Sequence, residues 1–288
     1  MKTIALIGAG RLGTSLAAAL AYKGYQIKSI SDRDPAAARA SRRIIGQGRI
    51  FSDNARAAAA ADIVFLCLPD DVLSAETESL SRSGIDWKGK IVFHTSGILS
   101  SAVLAPLKKQ GPSVGSFHPI QSFAGKKTPG RRFKGIYWGI EGDPKAAALA
   151  QDIAARLGGH ILRLRSGQKP LYHAACVMAS NFLVVLIDRA AALLEETGVN
   201  RQKAVRALLP LVEGTLHNVK SLDLPQALTG PFIRGDWRSV EAHLLALQSV
   251  PETRRAYQAL GKMALGVAAE QGLPPRILKA LDRLLEGK

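Results

Sequence analysis

The chain has 288 residues, with 39 Lys and Arg against 23 Asp and Glu, a net charge of +16. Its 47% apolar and 22% charged content is globular rather than disordered, and two cysteines, Cys67 and Cys176, are too few to staple a secreted scaffold of this size. The apolar runs read as shorter than the roughly 18 residues of a membrane span, and Arg11 cuts the N-terminal apolar segment before a signal-peptide pattern forms. A cytoplasmic protein is expected, and the +16 raises nucleic acid as a partner.

Taken in chain order, residues 1–165 alternate short apolar runs with helical patterns. Strands are expected at Thr3–Ile7, Gln26–Ser31, Asp62–Leu68, Lys90–His94, Ser113–Phe117, Gly135–Ile140 and His160–Leu164. Helices are expected near Leu12–Tyr22, Pro35–Ile45, Asp71–Ser81, Ser101–Lys109 and Pro144–Leu157. This rhythm predicts an α/β domain, a Rossmann-type doubly wound, mostly parallel sheet. Residues 166–288 carry no strand signal and are expected to form an all-α C-terminal domain. Its helices are Tyr172–Thr197, Arg201–His217 with a kink or break at Pro210, Trp237–Leu247, Pro251–Gln271 and Pro274–Leu285.

Gly8-Ala9-Gly10-Arg11-Leu12-Gly13 fits G-x-G-x-x-G between a predicted strand and a predicted helix. Gly8 suits a tight turn, Gly10 lets backbone approach a pyrophosphate, and Gly13 lets the helix sit close to the strand. Arg11 and Leu12 begin the helix, whose free N–H groups face the phosphates. Asp32, 19 residues after Gly13, ends the second strand, where a carboxylate can bind a ribose 2′-OH. Asp32 favours NAD, whereas Arg33, with Arg39, Arg42 and Arg43 behind it, suits a 2′-phosphate, so NADP is preferred of the two. Leu68 and Pro69, after the central strand, belong at the nicotinamide ribose; Asp70 and Asp71 read equally as a helix N-cap pair.

Two strands end in histidine: Lys90-Ile-Val-Phe-His94-Thr95-Ser96-Gly97 and Phe117-His118-Pro119. Both imidazoles are expected in one crevice, with Thr95 and Ser96 beside the nucleotide and His94 toward substrate. Cys67, inside a buried strand, reads as a packed thiol. Lys126, Lys127, Arg131, Arg132 and Lys134 form a basic loop, either a lid over an anion or a solvated surface. The six histidines lack metal-ligand spacing, and no G-x-S-x-G elbow is present, which disfavours a metal site and a hydrolase.

The succession of G-A-G-R-L-G, A-D-I-V-F-L-C-L-P-D, H-T-S-G and F-H-P-I-Q-S-F resembles the Rossmann-like half of oxidoreductase-like proteins that carry a DUF2520 domain. Lys169-Pro-Leu-Tyr172-His173 through Ser180-Asn181-Phe, and Ala227-Leu-Thr229-Gly-Pro-Phe-Ile-Arg234-Gly-Asp236, resemble that group's helical domain. The group is related to pyrroline-5-carboxylate reductase, ketopantoate reductase and prephenate dehydrogenase. The resemblance implies a nicotinamide-dependent architecture and a homodimer formed through the helical domain. Ketopantoate reductases place a catalytic Lys eight residues before an Asn. Setting Asn181 on that Asn puts His173 in the Lys position, with Lys169 one turn earlier. The Gly- and Thr-rich signature of pyrroline-5-carboxylate reductase is not found.

Hydride transfer to or from a carbonyl or imine carbon is therefore expected, with His173 or His118 as acid/base, Asn181 orienting the polar atom, and Lys169 able to reach in. Arg234 could grip a substrate carboxylate, with Thr229 nearby. A non-catalytic dinucleotide sensor is the first alternative. A nucleic-acid-binding protein is disfavoured by 6% aromatic content and by the lack of a recognisable binding motif. Residues 1–165 carry a net +12 and residues 166–288 a net +4. That distribution suits an anionic cofactor and an anionic small-molecule substrate, with neither nucleic acid nor membrane as partner.

Overall fold

The computed structural model describes residues 2–123 and 133–287. The chain divides into two compact units, Met1–Asn181 and Phe182–Lys288. The first runs β1 (Thr3–Ile7), α1 (Arg11–Tyr22), β2 (Gln26–Ser31), α2 (Pro35–Ile45), β3 (Arg49–Phe51), α3 (Asn54–Ala59), β4 (Ile63–Leu66), α4 (Asp70–Ser81), β5 (Ile91–His94), α5 (Ala105–Lys108), β6 (Ser113–Pro119), β7 (Tyr137–Gly142), α6 (Pro144–Arg156) and β8 (His160–Arg163). The strands form one eight-stranded sheet ordered β3-β2-β1-β4-β5-β6-β7-β8. All neighbours are parallel except β6 and β7. The chain winds outward from β1 to β3, then returns to lay β4 on the other side of β1. That reversal opens a crevice at the carboxyl ends of β1 and β4.

Alternate strand residues feed two cores, one on each face of the sheet. Ile4, Leu6, Phe65, Phe93 and Phe117 lie in one; Ala5, Ile7, Val64, Leu66, Val92 and Val114 lie in the other. The uninterrupted Ile63-Val-Phe-Leu66 run is buried throughout, as a central parallel strand requires. Phe117 stacks on Trp138 with centroids 4.1 Å apart and meets Phe93 at 5.9 Å. On the opposite face, register aligns Ile7, Leu66, His94, Ser116 and Glu141 in one row across five strands. The row begins apolar and becomes polar, yet His94, Ser116 and Glu141 are all buried.

The helices that follow are α7 (Lys169–Glu195), α8 (Arg201–Ser221), α9 (Leu224–Ala227), α10 (Pro231–Arg234), α11 (Trp237–Ala246), α12 (Pro251–Glu270) and α13 (Pro275–Glu286). The division into units falls within α7, after Asn181. Val240, Leu244, Leu265, Leu281 and Leu285 form the core of the second unit.

Three expectations change. The short edge strand β3 and helix α3 carry too few residues to show a period. Helix α8 runs through Pro210 as one element rather than breaking there. The segment Ser166–Glu195 is long and apolar enough to cross a membrane by length and composition, contrary to the reading of its apolar run as too short. Ser180 and Asn181 interrupt that run without adding charge, and the apolar residues around them keep the segment's mean hydropathy at 1.8.

Phe117→Ala should destabilise the protein by about 3–5 kcal/mol, because it removes a buried ring stacked on Trp138 and tilted against Phe93 and Phe65. Urea unfolding measures this, and a loss below about 1 kcal/mol would show that the aromatic ladder is not a principal part of the core.

Candidate functional site

Gly8 adopts φ +95, and a Cβ there would lie 2.3 Å from the Cys67 carbonyl oxygen. A Cβ on Gly13 would lie 2.2 Å from the Gly8 oxygen. Both glycines are therefore required by the turn and by the close approach of α1. Gly10 differs: a Cβ there meets none of the described atoms within 4 Å, so its hydrogen faces open space. No side chain among the described residues caps α1, and no acid sits in its first turn. Its N–H groups and positive dipole end remain available for an anion.

Asp32 fastens this loop. Its Oδ2 accepts from the Ala9 N–H at 2.6 Å and its Oδ1 from the Asp34 N–H at 2.8 Å. The carboxylate expected to hold a ribose is already shaping the glycine turn, with its remaining lone pairs left for a ligand. A cleft of about 610 Å³ opens here. Gly8, Gly10, Arg11, Leu12, Gly13, Asp32, Arg33, Leu68, Pro69, Thr95 and Ser96, the residues assigned to a nucleotide from the motifs, all line it. So do Asn54 and Gly97, which the motifs did not single out. Among the arginines of the β2–α2 region, Arg33 lines the cleft, whereas Arg42 donates to the Gly48 carbonyl. Asp70 and Asp71 occupy the first turn of α4, with Pro69 at its cap position, so both favour the helix dipole.

A larger hollow of about 810 Å³ lies at the opposite, amino-terminal ends of β4 and β5. Its charged groups are engaged locally: Asp62 accepts from the Thr3 N–H and hydroxyl, and Lys90 donates to the Ala59 and Ala61 carbonyls.

Beyond Gly97, at the edge of the cleft lining, lie the polar row and the first turns of α7. Lys169 is fully buried, and its Nζ donates to the Ser96 carbonyl and to Ser116 Oγ, both at 2.8 Å. Burial pulls its pKa down to about 8, against the opposing pull of Glu141, Asp70 and Cys176. Glu141 is itself held by the Ser101 N–H and by the Ser101 hydroxyl at 2.9 Å. Three residues after Lys169, the Tyr172 hydroxyl lies 2.7 Å from His118 Nδ1. One residue further on is His173. A Cβ on Gly97 would lie 2.4 Å from His173 Cδ2 and 3.0 Å from Nε2 of both His118 and His173. The missing side chain at Gly97 lets two imidazoles converge on a residue that lines the cleft, with ring centroids 6.2 Å apart.

Burial, then the neighbouring Lys169 and His173, pull the His118 pKa down to about 3, so His118 is neutral at physiological pH. The protonated His118 expected as an acid is disfavoured by this environment. His94 behaves differently from its sequence twin. It is fully buried, its Nδ1 accepts from the Ser96 N–H at 3.2 Å, and it does not line the cleft. It supports the His-Thr-Ser-Gly turn from beneath instead of facing substrate, and burial pulls its pKa down to about 3. Burial likewise pushes the Cys67 thiol up to about 12, consistent with a packed, unreactive thiol.

Asn181 lies two turns beyond His173 on α7, exposed and outside the cleft lining. Thr229 and Arg234 belong to the second unit, and both are exposed. Asp236 caps α11 through the Ser239 N–H and hydroxyl, so Arg234 is not its principal partner. Of the basic loop, Lys126, Lys127, Arg131 and Arg132 lie outside the described residues. Ser116, Glu141 and Tyr172 escaped the motif search. Ser116 and Glu141 left a trace, as polar residues at alternate positions in apolar strands, Ser116 two before His118 and Glu141 two after Gly139.

Two domain families match the chain. The Rossmann-like domain matches residues 2–119, and the domain of unknown function DUF2520 matches residues 136–264. Each model covers less than half of the chain. Among solved structures, this two-domain chain is similar to a candidate NADP oxidoreductase from Bacteroides fragilis, at 28% identity over 91% of this chain and 97% of that one, with a TM-score of 0.75. Protein TM1727 from Thermotoga maritima is 25% identical over 93% of this chain and 98% of its own, with a TM-score of 0.72. A reductive aminase from Aspergillus terreus, solved with NADPH and ethyl-5-oxohexanoate, shares the fold at 16% identity, covering 100% and 93%, with a TM-score of 0.64. None of the curated protein sequences matches.

The buried Lys169 gives the first unit a pH signature. Its pKa is about 8 when folded and 10.5 ordinarily, so between those values the unfolded chain binds the extra proton and stability rises with pH. Relative to Lys169→Met, the wild type should gain about 3 kcal/mol from pH 8 to 10.5 in denaturant titrations. A pH-independent difference would mean that the ammonium is not desolvated.

Proposed function

We propose that the chain is an NAD(P)-dependent oxidoreductase acting on a carbonyl or imine carbon of a small anionic metabolite. The observation that carries this reading is a cleft with an anion-ready glycine turn at one end and Gly97 at the other, where His118 and His173 converge just behind the lining. The residues present fit a dinucleotide: Gly10 leaves open space where a phosphate needs it, and the uncapped start of α1 offers N–H donors. Gly8, Gly10, Arg11, Leu12 and Gly13 would hold the pyrophosphate. Asp32 and Arg33 would hold the adenosine ribose, and Leu68, Pro69, Thr95 and Ser96 the nicotinamide ribose. The resemblance to the candidate NADP oxidoreductase supports this reading, and the exposed Arg33 favours the 2′-phosphate of NADP.

A nicotinamide supplies or accepts a hydride, and the protein handles charge and protons around it. Half-buried His173 exchanges a proton with the substrate's polar atom. Neutral His118 contributes hydrogen bonding at Gly97. The Lys169 ammonium, bonded to two neutral oxygens, leaves a positive field behind the Ser96–Gly97 peptide that favours an anion or a developing oxyanion. Asn181, on the same helix as His173, would orient the substrate's polar atom.

Gly10→Val should keep the melting temperature within about 2 °C and weaken NADPH binding at least tenfold in a fluorescence titration, because its side chain enters ligand space only. Undiminished binding would remove the glycine turn from the site. Arg33→Ala should weaken NADPH by about tenfold and leave NADH unchanged; equal losses for both would remove the NADP preference. Transfer of deuterium from 4-deuterated NADPH to a metabolite distinguishes an enzyme from a dinucleotide sensor.

The same reading takes exposed Phe182, Val184, Val185 and Leu211 as part of a homodimer surface. Sedimentation without detergent should give twice the chain mass, and a single chain mass would contradict it.

A further inference from the structure

The mechanism leaves the buried Tyr172 hydroxyl unused. Resting on the reading of this cleft as a reduction site, we infer that Tyr172 is a positioning residue that locks His118 in the tautomer carrying its proton on Nε2. In that form His118 aims a hydrogen-bond donor at the Gly97 end of the cleft.

The contacts decide the tautomer. The hydroxyl oxygen lies 2.7 Å from His118 Nδ1, with the two rings nearly perpendicular at 89°. The hydrogen bond to His118 Nδ1 is the one the hydroxyl makes among the described residues. If Nδ1 carried the imidazole proton it would donate to the phenol oxygen, and the buried phenol proton would lose its nitrogen acceptor, keeping at best the neighbouring Cys176 sulfur, a weak acceptor. With the proton on Nε2, the O–H donates to Nδ1 and Nε2–H faces the Gly97 end of the cleft, so both groups are satisfied.

The space for this arrangement is built into the strands. Gly139 stands opposite His118 across β6 and β7, and a Cβ there would lie 2.5 Å from the Tyr172 hydroxyl oxygen. His118 Nε2 in turn lies 3.0 Å from where a Gly97 Cβ would be. Two glycines thus leave room at both nitrogens of one imidazole. The charged groups facing the ring are Lys169 and His173, and both oppose a second proton on it. Nor can His118 easily surrender the proton it has, because burial pushes Tyr172 well above the usual phenol range and leaves no ready proton for Nδ1. His118 therefore donates a hydrogen bond and keeps its proton, which leaves proton exchange to His173.

Histidine ¹⁵N NMR on the full chain, with the His118 signals assigned through His118→Gln, reads the tautomer directly without a substrate. The wild type should show a single Nε2–H tautomer with Nδ1 shifted as a hydrogen-bond acceptor. Tyr172→Phe should abolish that acceptor shift and yield a mixture of tautomers. Cys176→Ala should leave the wild-type pattern intact. An Nδ1–H tautomer in the wild type, an unchanged spectrum in Tyr172→Phe, or a tautomer change in Cys176→Ala would each overturn the inference. A parallel NADPH titration separates the two claims. Binding with the wrong tautomer defeats the inference alone, and the expected tautomer without binding defeats the cofactor reading alone.

Discussion

A buried ammonium organises the polar cluster behind the Ser96–Gly97 end of the cleft. Taking the Lys169 charge out of water is costly unless oxygen atoms replace the solvent. The Ser96 carbonyl and Ser116 hydroxyl do so, which ties the start of α7 to the ends of β5 and β6. The same charge accounts for much of the surrounding chemistry. Glu141 offsets it from the next strand, and it helps to keep His94 and His118 neutral. The polar row across β5, β6 and β7 thus forms one electrostatic unit within an otherwise apolar sheet face.

The other end of the cleft relies on backbone shape. Gly8 and Gly13 are demanded by contacts inside the protein, whereas Gly10 is demanded by nothing inside it. That contrast separates glycine as a folding requirement from glycine as a ligand requirement. Asp32 links the two concerns, because its carboxylate closes the turn on which any phosphate contact depends.

Much of this was legible in the sequence. Apolar runs marked the seven longer strands, and the Gly8–Gly13 turn with the strand ends at Leu68 and Thr95 marked much of the cleft lining. These features are local, and each motif carries its own context. The reactive end was only half legible. His94 and His118 look equivalent as strand-end histidines, but parity along the strand does not reveal depth, and His94 is sealed beneath the turn. Lys169 and Tyr172 reach Ser116 and His118 across more than fifty residues of sequence, and no spacing rule encodes such a meeting. At Pro210 a break did not form, because a helix of 21 residues holds enough other backbone bonds to continue through one missing donor.

The first unit therefore presents one cleft with two chemically distinct ends, and the central claim is that a dinucleotide spans them. A crystal structure of the chain with NADPH tests this most directly. The account predicts the pyrophosphate on the amides of residues 10–12 and the nicotinamide ring beside Gly97, within reach of His118 and His173. A dinucleotide bound instead in the basal hollow near Lys88 and Lys90, or with its nicotinamide away from Gly97, would contradict it.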